Sequence, residues 1–85
     1  MRHITPARLP DIASLLEEVR KVDGLTEKKP GTFYKKSSGF LHFHEHGDDI
    51  FADVKLNGAT FERRRVTTKT EQRALARDIR RTLRT

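Results

Sequence analysis

Apolar residues near the start of the chain recur every three or four positions, which is the spacing of one face of an α-helix. They are Ile12, Leu15, Leu16, Val19 and Val22. Proline is tolerated in the first helical turn, so this helix is predicted to begin near Pro6 or Pro10. Gly24 can adopt the left-handed conformation that ends many helices, and we expect the helix to end there.

The middle of the chain contains four short extended stretches, which follow a polar connection over residues 26–31. They are Thr32–Lys36, Phe40–Glu45, Ile50–Leu56 and Ala59–Val66. Asn57-Gly58 is typical of a two-residue hairpin turn, because both residues tolerate a positive φ. Connections this short favour antiparallel pairing of neighbouring strands. The pattern therefore predicts a meander of four antiparallel strands.

A second amphipathic helix is predicted at the end of the chain. Thr68 and Glu71 have the spacing of a capping box, and Leu75, Ile79 and Leu83 recur every four residues after it. The order of elements predicts an α+β, two-layer sandwich of helix, four-stranded antiparallel meander and helix, with both helices on one sheet face. A chain of 85 residues is predicted to form a single domain over residues 1–85.

The second predicted strand carries three histidines at alternate positions. Side chains at every second position of a strand share one face, so one face is predicted to carry Phe40, His42, His44 and His46. We expect Leu41 and Phe43 to lie under the helices, and the histidines to lie on the solvent face with Asp53 and Lys55. Phe51 is expected on that outer face as well.

Solvated histidines are the favoured interpretation of this row, and a metal site on His42 and His44 is the alternative. Two imidazoles at alternate positions of a strand can reach one metal ion, and Asp53 or Glu62 could complete the site. His44 and Asp53 could also be arranged as a base and its orienting carboxylate. No enzymatic motif is recognisable, so we predict no catalytic residue and no cofactor.

Composition narrows the class of protein. The chain has no cysteine, which excludes disulfides and thiolate chemistry. It has no apolar run long enough for a transmembrane helix, so a cytoplasmic protein without a membrane partner is expected.

The positive charge is distributed unevenly along the chain. The net charge is +6, and residues 62–85 hold nine Lys/Arg against three Asp/Glu, while residues 1–61 are balanced. This asymmetry predicts an anionic partner for the C-terminal part, with nucleic acid the first candidate.

Arginine forks suit phosphate oxygens, and a stripe of cations runs beside the apolar face of the last helix. The predicted nucleic-acid-binding residues are Arg63, Arg65, Lys69, Arg73, Arg77, Arg80 and Arg84. Alternation sends Arg64 to the opposite sheet face. The alternative is a protein-interaction domain, a homodimer joined through an edge strand or through Phe40 and Phe51 on the outer face.

The central part of the chain resembles small bacterial proteins of the MmcQ/YjbR type. The matching segments are Gly24-Leu25-Thr26-Glu27, Gly31-Thr32-Phe33, Gly39-Phe40-Leu41-His42-Phe43 and Asp53-Val54-Lys55-Leu56. The resemblance implies DNA binding through a sheet and its flanking helices. It implies no catalytic residue.

Overall fold

The structure, a computed structural model, describes residues 1–83 as an antiparallel sheet and two α-helices, which confirms the α+β class. The strands are β1 (Arg2–His3), β2 (Leu25–Lys29), β3 (Thr32–Lys35), β4 (Ser38–His46), β5 (Asp49–Val54) and β6 (Glu62–Arg65). The helices are α1 (Ala13–Arg20), which follows a 3-10 helix over Pro6–Ile12, and α2 (Lys69–Leu83). Neither α-helix in residues 1–83 has the length and apolar character that crossing a membrane requires.

The sheet has six strands where the sequence predicted four. Its order is β2-β3-β4-β5-β6, with β1 paired to β4. The prediction of a polar connection over residues 26–31 was wrong, because Leu25–Lys29 pairs with β3 as an edge strand. An edge strand needs little apolar surface, and Leu25 alone packs against the core from β2. The connection itself is a tight turn in which Gly31 has a φ of +84°.

The connection between β5 and β6 also differs from the prediction. Val54 pairs with Glu62, so residues 55–61 form a loop and Asn57-Gly58 is not a two-residue hairpin. The side-chain Oδ1 of Asn57 accepts hydrogen bonds from the backbone N–H groups of Ala59 and Thr60, at 2.8 and 2.9 Å. Asparagine stabilises a local turn in this way, and the turn replaces strand pairing at this point.

The inner sheet face and the helices share one hydrophobic core. Leu41 pairs with Val54, and Phe43 with Ala52, and all four are fully buried, as the alternation predicted. Other buried members of the core are Ile12, Leu15, Leu16, Val19, Leu75 and Ile79. On the same face, Glu27 of β2 pairs with Arg20 of α1, and Arg64 of β6 pairs with Asp78 of α2. Both helices therefore contact the inner face.

Phe40 does not lie on the outer face, and that prediction was wrong. Tyr34 pairs with Gly39 while Phe33 pairs with Leu41, so Phe40 is an extra residue in β4. Such a bulge changes the direction of the side chain that it carries. Phe40 is 3% exposed and belongs to the core, next to Leu41. Regular alternation of the two faces begins only after the bulge.

The start of α2 is held by the predicted capping box. The Thr68 hydroxyl accepts the Glu71 N–H at 3.1 Å, and the Glu71 carboxylate accepts the N–H groups of Thr68 and Thr67 at 3.0 and 3.1 Å. Gln72, in the next turn, donates to the backbone carbonyls of Asp11 and Val66. These bonds join α2 to the segment before α1 and to the residue that follows β6.

Candidate functional site

The outer sheet face is the side of the sheet that the helices leave uncovered, and the strand register decides which side chains meet there. His42 lies opposite Asp53, and His44 lies between Phe51 on β5 and His3 on β1. Residues opposite each other in paired strands point to the same face. The predicted placement of the histidines with Asp53 is therefore confirmed, and β1 adds His3.

Three histidines and one aspartate form a connected cluster, which we call the histidine cluster. His42 Nδ1 is 3.0 Å from His44 Nε2, and His44 Nε2 is 3.1 Å from Asp53 Oδ2. The His3 ring centroid is 5.6 Å from that of His44, and donor nitrogens of the three histidines lie within 4.8 Å of one another. The structure thus brings His42 and His44 together, as the metal alternative requires.

His3 was the member of the cluster that sequence reasoning did not assign. It is separated from His44 by 41 positions, and it reaches the cluster only because β1 pairs with β4. An isolated two-residue strand leaves no periodic signal in the sequence. His46, the next histidine along β4, is exposed and does not belong to the cluster.

Arg63 of β6 holds the carboxylate of the histidine cluster. Its Nε and Nη2 groups donate to Asp53 Oδ1 and Oδ2 at 2.9 and 3.0 Å. These hydrogen bonds hold the pKa of Asp53 below its ordinary value, so the group is a carboxylate at neutral pH. Burial, and next the charge of His44, lower the pKa of His42, so its ring is neutral at pH 7.

Two lysine–aromatic pairs flank the histidine cluster. Lys28 Nζ lies 4.9 Å from the Tyr34 ring centroid, and Lys55 Nζ lies 4.9 Å from that of Phe61. Phe61 is 44% exposed, and its ring centroid is 5.1 Å from that of His42. Tyr34 and Lys28 also border a shallow basin of about 410 Å³, whose other lining residues are His3, Lys29, Thr32, His42 and His44.

The arginines predicted from β6 are engaged with acids. Arg63 is bound to Asp53, as described above, and Arg65 donates to Glu71 at 2.8 Å and to Asp49 at 3.0 Å. Arg64 lies on the inner face, as its place in the strand predicted, and pairs with Asp78 at 3.1 Å. These three guanidinium groups do not form one cationic row.

The cations predicted on α2 divide into two groups. Arg77 pairs with Asp78 at 3.2 Å, and Arg80 pairs with Glu18 of α1 at 3.3 Å. Lys69 and Arg73 have only hydroxyl partners within residues 1–83, those of Ser14 and Thr70. Arg84 lies outside the described residues. Exposed ion pairs are weak, but the neighbouring carboxylates partly neutralise Arg77 and Arg80 and so reduce their attraction for an anion.

Ion pairing leaves lysines and arginines without an acidic partner in both parts of the chain. Within residues 1–83, the lysines and arginines without an acidic partner are Lys28, Lys29, Lys35, Lys36, Lys55, Lys69, Arg73 and Arg81. Most of these precede residue 62, in the part of the sequence whose formal charges balance. The lysines beside the outer sheet face therefore contribute more uncompensated charge than linear counting indicated.

Comparison with models of known protein families, with curated proteins and with solved structures finds no significant match for this chain. The resemblance to proteins of the MmcQ/YjbR type therefore stays a prediction from sequence. The function of this chain has to be inferred from its own side chains and their contacts.

Proposed function

We propose that the protein binds single-stranded nucleic acid on the outer sheet face, with phosphates on its lysines and bases on its aromatic rings. The observation that carries the proposal is the presence of two lysine–aromatic pairs, Lys28 with Tyr34 and Lys55 with Phe61, on one sheet face. Proteins that bind single strands combine cations that follow the backbone with rings on which bases stack.

The outer sheet face is suited to a polyanion because its acids are neutralised by neighbours. Asp53 is bound by Arg63, and Asp49 is bound by Arg65. Lys28, Lys29 and Lys55 have no acidic partner within the described part of the chain. Lysine side chains are long, so each ammonium can leave its ring for a phosphate and expose the ring to a base.

The α2 surface is the weaker candidate for the same partner. Lys69 and Arg73 border a groove between the two helices that also contains Glu17 and Glu18. Those carboxylates repel phosphates, and none of the residues that line the groove is aromatic. The charge of the α2 surface alone would bind only the phosphate backbone of a nucleic acid. The outer sheet face offers positive charge together with aromatic rings on which bases can stack.

The homodimer alternative depended on two exposed phenylalanines, and one of them is buried. Phe40 is in the core, and Phe51 is only partly exposed. Among residues 1–83 the exposed large apolar side chains are Met1 and Phe61, which is too little for an apolar interface core. We therefore place the nucleic-acid proposal first.

The test is fluorescence anisotropy of a labelled single-stranded oligonucleotide at increasing salt concentration, in the presence of a metal chelator. Each lysine that neutralises a phosphate contributes about 0.7 to the slope of log affinity against log salt. The double variant K28Q/K55Q should reduce that slope by about 1.4 if both lysines contact phosphates. Y34A should weaken binding by about 1–3 kcal/mol if a base stacks on the ring.

The matched control is K69Q/R73Q, which removes the same charge from α2. It should leave the salt slope close to that of the wild-type protein, and a duplex of equal length should bind more weakly than the single strand. Equal losses from both double variants would mean that binding follows net charge and not the outer sheet face. Failure of the wild-type protein to bind at low salt would end the proposal.

A further inference from the structure

One nitrogen of the histidine cluster has two close polar neighbours. His44 Nε2 lies 3.0 Å from His42 Nδ1 and 3.1 Å from Asp53 Oδ2. A neutral imidazole nitrogen carries either a proton or a lone pair. His42 Nδ1 and Asp53 Oδ2 can each act as a hydrogen-bond acceptor or as a metal ligand, and both are adjacent to His44 Nε2. Three atoms that can bind a metal ion, His42 Nδ1, His44 Nε2 and Asp53 Oδ2, are therefore close neighbours.

The same distances match the edges of a tetrahedral metal site. Bonds of 2.0–2.1 Å from Zn²⁺ to nitrogen or oxygen place neighbouring ligand atoms about 3.3 Å apart. The two measured edges of the cluster, 3.0 and 3.1 Å, are close to that separation. Along these two edges, binding of a metal ion would need only small shifts of the ligand atoms.

We propose that His42, His44 and Asp53 bind a divalent transition metal ion of the zinc type, with His3 as the fourth ligand. The donor nitrogens of the three histidines already lie within 4.8 Å of one another, so His3 has to move toward His42 and His44 to reach the edge length of a tetrahedral site. His3 is exposed and belongs to a strand of only two residues, so this movement disturbs no packed core.

The surroundings of the site hold its ligands in position. Strand pairing places His3, His44 and Asp53 on three neighbouring strands, and the Arg63 fork fixes the orientation of the Asp53 carboxylate. Residues that hydrogen-bond to metal ligands orient those ligands in this way. Three nitrogens and one carboxylate oxygen suit Zn²⁺, Co²⁺ or Cu²⁺ better than Mg²⁺ or Ca²⁺.

A metal ion at this position would join three strands. β1 pairs with β4 through the Arg2–Glu45 and His3–His44 register pairs, and β5 contributes Asp53 from the other side. A ligand that binds only the folded state stabilises it by RT ln(1 + L/Kd), where L is the free ligand concentration. Added metal should therefore raise the melting temperature, and this effect does not depend on nucleic-acid binding.

The experiment uses Co²⁺ as an optical probe, with protein that carries no purification tag and has been treated with a chelator. Tetrahedral Co²⁺ absorbs visible light strongly, whereas hydrated octahedral Co²⁺ absorbs weakly. We expect an intense band that saturates at one Co²⁺ per chain and disappears on addition of one equivalent of Zn²⁺. Thermal unfolding with and without Zn²⁺ provides an independent readout, and no nucleic acid is present.

Variants identify the ligands. Removal of a residue that hydrogen-bonds to a metal ligand reduces metal affinity by roughly 10–100-fold. H44A and H42Q remove a ligand itself, so each should reduce Co²⁺ affinity by more than that. H3A should keep a band with altered intensity, since three ligands remain. H46A is the matched control, because His46 lies on the same strand outside the cluster, and it should bind as the wild type does. Circular dichroism establishes that each variant is folded.

Two results would overturn the proposal. The first is a wild-type protein without the intense visible band and without a rise in melting temperature on addition of Zn²⁺. The second is folded H42Q protein that binds Co²⁺ as tightly as H46A. Because the titrations contain no nucleic acid, either result leaves the nucleic-acid proposal to be judged by its own binding experiment.

Discussion

The inner and outer faces of β4 and β5 are built from alternate residues of the same two strands, yet they are held by different forces. On the inner face Leu41 pairs with Val54, and both are fully buried. On the outer face His42 pairs with Asp53, whose carboxylate is bound by the half-exposed guanidinium of Arg63. Burial of apolar surface dominates stability, while partly exposed ion pairs contribute little. The inner face therefore maintains the fold, and the outer face is free to carry a binding site.

The largest expected difference between the faces is in stability. Phe43 is fully buried, and F43A should lower the free energy of unfolding by about 3–5 kcal/mol, because it leaves a cavity in the core. H42A, one position earlier and on the opposite face, should cost less than about 1 kcal/mol. Urea unfolding of both variants provides the comparison, and similar losses would show that the histidine cluster maintains the fold.

A second comparison concerns two phenylalanines that the sequence placed together on the outer face. Phe40 is 3% exposed because of the bulge in β4, whereas Phe51 is partly exposed. F40A should therefore cost about 3 kcal/mol, and F51A less than half of that. Both values can be measured by urea unfolding. Equal losses would contradict the assignment of Phe40 to the core.

The smallest expected effect concerns an ion pair at the edge of the inner face. Hydrogen bonds from Arg20, and then from the N–H of Gly31, hold the pKa of Glu27 below its ordinary value. A carboxyl group whose pKa is lowered by folding stabilises the protein above its unfolded-state pKa of about 4.3, and this stabilisation is lost as pH falls through the folded-state value.

E27Q should thus be less stable than the wild type at pH 7, by less than about 1 kcal/mol because the pair is partly exposed. At pH 3 the two proteins should differ less, and urea unfolding at both pH values measures this change. E17Q is the control, since Glu17 is exposed and has no ion pair among the described residues. If the difference in free energy of unfolding between E27Q and the wild type were the same at both pH values, the ion pair of Glu27 with Arg20 could not be its cause.

The sequence alone determined the features that depend on neighbours a few positions away. The apolar spacing of α2, the capping box of Thr68 and Glu71, and the opposite faces of Leu41 and His42 were all predicted and are all found. Each follows from helical or strand periodicity, which is a local property of the backbone. For the same reason the histidine row was placed correctly on the outer sheet face.

Tertiary structure alone decided the rest, because strand pairing joins residues that are far apart in the chain. It made an edge strand of the polar segment Leu25–Lys29, buried Phe40 through a bulge, and brought His3 beside His44. It also joined Arg63 to Asp53 and Arg65 to Asp49, so part of the charge excess of residues 62–85 is held in ion pairs. A count of charges along the sequence cannot show this, since Coulomb attraction acts between neighbours in space.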